Sequence, residues 1–172
     1  AVSSCLQSGL PVAIFSLEML ATELSMRLLT GRAKVDSKRV RKKAFLDTDL
    51  RSIAKATQEL SALPIFINDS GNTTILDIQS QCRKIKADNG LGLIVIDYLQ
   101  LMGATNKNLQ REQQIAEISR GLKTMAKELG CPVIALSQLN RGVEARPNKR
   151  PTTADLRESG AIEQDADIVM FV

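Results

Sequence analysis

The sequence predicts an α/β fold, a mostly parallel sheet flanked by helices. Three observations carry this: short, nearly continuous apolar runs, helical periods between them, and helix ends marked by glycine and proline. The runs are Val12 to Leu17, Leu63 to Ile67, Leu91 to Ile96, Pro132 to Leu136 and Ile168 to Val172. A strand with one wet face alternates apolar and polar residues, whereas a continuous run suits a strand covered by helices on both faces, as in a parallel sheet. All five runs are expected to be strands.

The clearest helices lie between these runs. Ile75, Ile78, Cys82 and Ile85 recur at three and four residues behind Thr74 and Asp77, whose spacing is that of a capping box. From Glu112 to Leu129 the residues Ile115, Ile118, Leu122, Ala126 and Leu129 make one apolar face, and Gly130 and Pro132 stop it. Leu20 to Leu29 and Leu50 to Leu60 show weaker helical spacing, and Ala1 to Gln7 reads as the tail of a helix running into the Val12 strand. In an open sheet of this kind, ligands bind in the crevice beyond the carboxyl ends of the strands. Two polar stretches interrupt the pattern, Gly103 to Gln110 and Asn140 to Thr153, and long loops in a compact domain commonly carry function.

Composition narrows the chemistry. With 172 residues and 44% hydrophobic content the chain can bury one domain's core. A net charge of +4 and a pI near 9.1 suit a polyanionic partner and equally many soluble enzymes. Aromatic residues make up 3%, with no Trp and one Tyr, too few rings to grip bases by stacking, so contact with nucleic acid would run through phosphates. The absence of His excludes histidine catalysis and histidine-ligated metals. Cys5, Cys82 and Cys131 match neither a disulfide framework nor a zinc set, which points to a reducing cytosol. No apolar run is long enough to cross a bilayer and no signal peptide opens the chain, so the expectation is a cytoplasmic protein with no membrane partner.

Three strands end in polar side chains where the crevice should be: Glu18, Asp97, and Ser137 with Gln138. An acid directly after an apolar strand is the Walker-B arrangement of nucleoside triphosphatases, in which the carboxylate holds the magnesium water shell beside the phosphates. Asp97 fits it, although an Asp after a strand also suits an ordinary turn. Glu18 fits a general base that deprotonates the water attacking a γ-phosphate, and equally a surface carboxylate at a helix start. Gln138 is able to sense a terminal phosphate and report it along the loop that follows. The glycine-rich loop G-x-x-x-x-G-K-[ST] that such chemistry needs is not in these 172 residues; Gly121-Leu122-Lys123-Thr124 lacks the second glycine and falls inside a helix. The loop is expected just upstream of Ala1.

The basic residues form two groups. Lys34, Lys38, Arg39, Arg41, Lys42 and Lys43 read as a solvated surface. Arg141, Arg146, Lys149 and Arg150, with Arg157 beyond, follow the Gln138 strand directly, an arrangement able to couple phosphate sensing to the grip on a polyanion.

Several strings resemble the DnaB-type replicative helicases, a branch of the RecA-like ATPases: Phe15-Ser16-Leu17-Glu18-Met19, Ile96-Asp97-Tyr98-Leu99-Gln100-Leu101, Ala135 to Glu144, and Arg157-Glu158-Ser159-Gly160 running on to Asp167. The resemblance spans nearly the whole chain. It implies a RecA-like P-loop NTPase fold over residues 1–172, incomplete at both ends, with arginine and lysine fingers beyond Val172. It implies ATP and Mg2+ as cofactors, Glu18 as the carboxylate that activates water, Asp97 as the magnesium partner and Arg27 as a nucleotide contact. Gln138 would link the γ-phosphate to DNA loops, and Arg157, Glu158 and Gly160 would hold the backbone of single-stranded DNA, to which the basic loop reading adds Arg141. The partners it implies are five further copies in a homohexamer, primase and a helicase loader, and the location is bacterial cytosol or nucleoid, or an organelle stroma. Two alternatives stand beside it: another RecA-like ATPase of recombination or repair, and a non-catalytic RecA-like scaffold or loader.

Overall fold

A computed structural model describes residues 1–42, 44–106, 108–146, 148–156 and 160–172. In chain order its elements are α1 (Val2–Ser8), β1 (Val12–Ser16), α2 (Ala21–Ala33), α3 (Ser37–Arg41), α4 (Asp47–Ser61), β2 (Ile65–Asn68), α5 (Ile75–Asn89), β3 (Leu93–Asp97), α6 (Arg111–Leu129), β4 (Val133–Ala135) and α7 (Gly160–Asp165). The four strands form a wholly parallel sheet in the order β2-β1-β3-β4.

This order has a direct consequence for the helices. The chain moves from β1 to β2 in one direction, then crosses back over β1 to β3 and continues to β4 in the other. Right-handed crossovers in opposite directions put their helices on opposite faces of a sheet. On one face Ala13, Phe15, Ile94 and Ile96 pack against Ile75, Ile78 and Cys82 of α5 and against Ile115, Ile118 and Leu122 of α6. On the other, Val12, Ile14 and Leu93 pack with Cys5 of α1 and Leu24 of α2, and α4 lies against α2. Side chains such as Ile78, Ile94, Ile96 and Ile115, all 0% exposed, each contribute about 1.5–3 kcal/mol by leaving water.

The helix ends form as their residues dictate. Thr74 caps α5, its hydroxyl accepting from the Asp77 N–H at 3.3 Å while the Asp77 carboxylate accepts from the Thr74 N–H at 2.9 Å. The hydrogen bond that the Thr74 hydroxyl donates to this carboxylate, and then the one from the Thr74 N–H, hold the Asp77 carboxyl below its ordinary range. Asp49 performs the same task for α4 by accepting from the Leu46 N–H at 3.1 Å. Gly130 ends α6 in the left-handed region at φ 51°, where a Cβ would be strained. Gly103 is required for a different reason: a Cβ there would stand 2.8 Å from the Asn72 carbonyl oxygen.

Two expectations are corrected. Ile168 to Val172 forms no strand and stays exposed, with Ile168 at 78% and Met170 at 76%, because it pairs with none of the described strands. β4 is not covered on both faces: Val133 packs into the α6 side, but Ile134 and Leu136 on the other side are exposed, since the apolar cluster there takes in residues of β1, β2 and β3 and none of β4. The short helices α3 and α7 lie where no helix was expected. Both have fewer than two turns, too short to display a period.

Because Ile78 is fully buried and Leu50 is 51% exposed, the two should respond differently to truncation. Ile78→Ala is expected to lower unfolding free energy by about 2–5 kcal/mol and Leu50→Ala by no more than about 0.5 kcal/mol in urea unfolding followed by circular dichroism. Equal losses would mean that the α5 face is not the core.

Candidate functional site

β1 and β3 are neighbours whose following segments leave to opposite faces, α2 to one and α6 to the other. Such a switch point opens a crevice at the carboxyl ends of the two strands. The ends are level, with Ser16 paired to Asp97, and the Leu17 N–H donates to the Asp97 carbonyl at 2.7 Å. Asp97, the last residue of β3, is therefore held beside the start of the Glu18 turn. Glu18 is exposed and Asp97 half-buried, so both carboxylates are accessible from the crevice. The Asp97–Tyr98 peptide bond is cis.

The Glu18 turn is fixed from two sides. The Ser16 hydroxyl donates to the Met19 carbonyl at 2.8 Å across the turn. The Asp69 carboxylate, just past β2, accepts from the N–H of Ala21, the first residue of α2, at 2.8 Å. That N–H has no partner inside the helix, and a carboxylate is favoured there by the positive end of the helix dipole. Arg27 lies six residues further, about 9 Å along the axis at 1.5 Å per residue. Its side chain is exposed, and no hydrogen bond or ion pair joins it to Glu18 or Asp97.

Gln138 leaves the sheet beside Asp97. The Leu136 N–H donates to the Ile96 carbonyl at 2.9 Å, and the Leu99 N–H to the Leu136 carbonyl at 3.0 Å. The Gln100 side chain then reaches across, its Nε2 donating to Ser137 Oγ at 2.9 Å and its Oε1 accepting from the Gln138 N–H at 3.3 Å. The Gln138 side chain itself is exposed. Glu18, Asp97 and Gln138 thus emerge from three adjacent strands at one end of the sheet.

The basic loop after Gln138 is tethered rather than loose. Leu139 makes an antiparallel bridge with Leu156, and the Asn140 N–H donates to the Asp155 carbonyl at 2.8 Å. Inside this tether Arg146 pairs with the buried Asp155, one guanidinium nitrogen at 3.0 Å from Oδ2 and the other on Oδ1. Arg146 therefore holds the loop's own anchor, while its side chain stays 45% exposed. Gly160 is the exposed first residue of α7, which packs on α6, with Ile162 against the core. Arg157 and Glu158 lie outside the described residues, as does the side chain of Arg141, whose backbone opens a 3-10 turn at Arg141–Val143.

Among the described residues no group of three or more Cys, Asp and Glu could cage a metal ion. Asp97 alone suits magnesium, which keeps several waters and binds one or two carboxylates plus substrate phosphates. Sequence reasoning missed Ser16, Asp69 and Gln100 as supports of the site. Asp69 had a readable signal, since it comes two residues after an apolar run that ends at Ile67; Gln100 had none, because its partners are set by tertiary register, and the Ser16 bond, though local, belongs to a turn whose form the strand pattern does not specify.

Asp155 gives this loop a pH dependence. Its carboxyl is held below its ordinary range, first by the Thr152 backbone N–H and then by the Arg146 guanidinium and the Thr152 hydroxyl. A lowered carboxyl stabilises the folded loop fully above its unfolded value near 3.9 and loses that contribution as pH falls through the folded value. A carbon-detected NMR titration of the Asp155 carboxyl should give a midpoint below about 3.9. In Arg146→Ala the midpoint should move up, and an unmoved midpoint would detach Arg146 from the anchor.

Comparison with known proteins agrees with this geometry. The family model described as the DnaB-like helicase C terminal domain matches residues 1–172. The replicative DNA helicase DnaB of Leifsonia xyli is 45% identical over 99% of this chain, and that of Geobacillus stearothermophilus 48% identical over 94%. The chain spans 37% and 36% of those two relatives, a little over a third of each. Among solved structures, one described as an ATPase domain superposes with a TM-score of 0.89 at 40% identity, covering 93% of this chain and 58% of that one. A DnaB-like replicative helicase described with its interactions with primase also gives 0.89 at 40% identity, covering 93% of this chain and 39% of that one. The sheet is that of a RecA-like ATPase domain, and the chain belongs to the DnaB-like helicase C-terminal domain family.

Proposed function

We propose that this chain is a motor segment of a replicative DNA helicase, which in the full-length protein couples Mg-ATP hydrolysis to movement along single-stranded DNA and to duplex unwinding at the replication fork. The observation that carries the reading is the level pairing of Ser16 with Asp97 at the switch point, which sets two accessible carboxylates, Glu18 and Asp97, on one crevice. Glu18 orients the attacking water and takes its proton, and Asp97 holds magnesium through water beside the phosphates. Magnesium, when bound, neutralises charge on the β- and γ-phosphate oxygens. Arg27 contacts the nucleotide, and Gln138 senses the terminal phosphate at the head of the basic loop.

In this reading residues 1–172 are part of a RecA-like motor, whose phosphate-binding loop lies upstream and whose arginine finger lies downstream. Arg141, Arg157, Glu158 and Gly160 hold the DNA backbone without reading bases, which suits a motor that passes over any sequence. Family membership supports assembly as a homohexamer and a helicase loader as partner; the solved relative described with primase supports primase as another. None of the described helices is long and apolar enough to cross a membrane, in keeping with a cytoplasmic motor.

The test uses the full-length protein, extended to the length of its relatives. Glu18→Gln is expected to lower DNA-stimulated ATP turnover by at least about 100-fold, the scale of a lost general base, while ATP binding changes little. Full turnover in that variant would remove Glu18 from its role. Replacing Arg157 with Glu should weaken single-strand binding and reduce the slope of log affinity against log salt by about 0.7 or more, and an unchanged slope would place the DNA elsewhere.

A further inference from the structure

Gln100 occupies a position that the nucleotide chemistry does not by itself explain. It sits three residues after Asp97, in the 3-10 turn Leu99–Leu101, and it is half-buried. Both ends of its amide are used on the neighbouring strand exit: Nε2 donates to Ser137 Oγ at 2.9 Å and Oε1 accepts from the Gln138 N–H at 3.3 Å. Sheet pairing between β3 and β4 ends at Ile96 and Ala135 and two backbone bonds at Leu136 follow, so among the described residues this amide is the link between the two exits that lies beyond them. Its own backbone is fixed in turn. The Arg111 guanidinium, in the first turn of α6, donates to the Gln100 carbonyl and to Gln114 Oε1, the latter at 3.1 Å.

Chemistry explains why the residue is an amide. Ser137 and Gln138 are consecutive, and the link to them needs a donor for the hydroxyl oxygen and an acceptor for the backbone N–H at the tip of one side chain. Only Asn and Gln carry both in that form, and Asn is one methylene shorter. Removing the amide would take away the side-chain bonds that hold Ser137 and Gln138 to the Asp97 turn, leaving Gln138 positioned only by its neighbours Leu136 and Leu139, while Asp97 stays in the sheet.

We propose that Gln100 is a positioning residue: its amide ties the Gln138 loop to the Asp97 turn, so that the presence of a terminal phosphate is passed to the basic loop that begins at Arg141. The inference rests on the reading of Gln138 as the phosphate-sensing residue. Gln100 touches no substrate in this scheme. It acts by fixing the backbone from which Gln138 and the Leu139–Leu156 bridge depart.

The experiment measures steady-state ATP hydrolysis of the full-length protein with and without single-stranded DNA. The proteins compared are Gln100→Ala, Ser137→Ala, the double variant and Gln138→Ala, each with its melting temperature. Gln100→Ala should lower the DNA-stimulated kcat by about tenfold, the scale of two lost hydrogen bonds, while KM for ATP stays within about twofold. A residue that merely stabilised the fold would lower the melting temperature without this split between kcat and KM. Ser137→Ala should lose about threefold, and adding it to Gln100→Ala should cost nothing more, because the link is already cut.

Multiplicative losses in the double variant would show two independent residues and overturn the proposal. Stimulated turnover preserved in Gln100→Ala but lost in Gln138→Ala would overturn the role of Gln100 and leave that of Gln138 standing. Preserved stimulation in Gln138→Ala would overturn the sensing role and the inference built on it. If Gln100→Ala does not fold, Ser137→Ala at an unchanged melting temperature decides: a threefold loss supports the link and no loss overturns it.

Discussion

Everything at the functional end of this molecule depends on the parallel pairing of β1 with β3, from Val12 opposite Leu93 to Ser16 opposite Asp97. This pairing makes the two strand ends level, and the reversal of strand order about it sends α2 and α6 to opposite faces. Where two connections diverge in this way, the carboxyl ends of the strands are the general place for a ligand crevice. A slip of one residue would turn Ala13 and Phe15 toward the α1 and α2 side and carry the Glu18 turn away from Asp97. The core on both faces therefore enforces the geometry of the site, since Val12, Ala13, Phe15, Ile94 and Ile96 are all at most 1% exposed.

Beyond the sheet, precision comes from a few hydrogen bonds, some within one turn or loop and some between two. Ser16 and Asp69 hold the Glu18 turn, Gln100 joins the β3 and β4 exits, and Asp155 anchors the basic loop through Arg146 and Thr152. Each uses a polar group at the end of a strand or helix, where backbone donors have no partner within their own element. The polar residues around the crevice thus serve the backbone first, and Glu18, Asp97 and Gln138 remain accessible because their neighbours take that work. Arg146 shows the distinction clearly: its charge reads in the sequence like that of Arg150, yet it is spent on Asp155 within the loop.

Legibility followed the physical origin of each feature. Four strands and the helices α5 and α6 were readable because burial imposes a period on consecutive side chains, and the Thr74 cap and Gly130 stop were readable because backbone chemistry at helix ends is local. Ile168 to Val172 misled because an apolar run declares only that a segment could be buried. Without a partner strand beside it the run stays exposed. The coverage of β4 misled for the same reason, as Ile134 and Leu136 carry the same apolar character as the buried residues of β3 and face a side that no described helix covers.

The sequence by itself determined the parallel α/β class, the four strands with the longer helices between them, and the polar residues Glu18, Asp97 and Gln138 at the strand ends, because hydrophobic period and end chemistry are written in neighbouring residues. Only the tertiary structure decided which strands are adjacent, and so which of these residues share a crevice. It also decided that Asp69, Ser16 and Gln100 support them and that Arg146 is committed to Asp155. The contacts of Asp69 and Gln100 depend on register between segments up to 48 residues apart, as Ala21 and Asp69 are, and register is fixed by the packing of the whole core rather than by any local run of side chains.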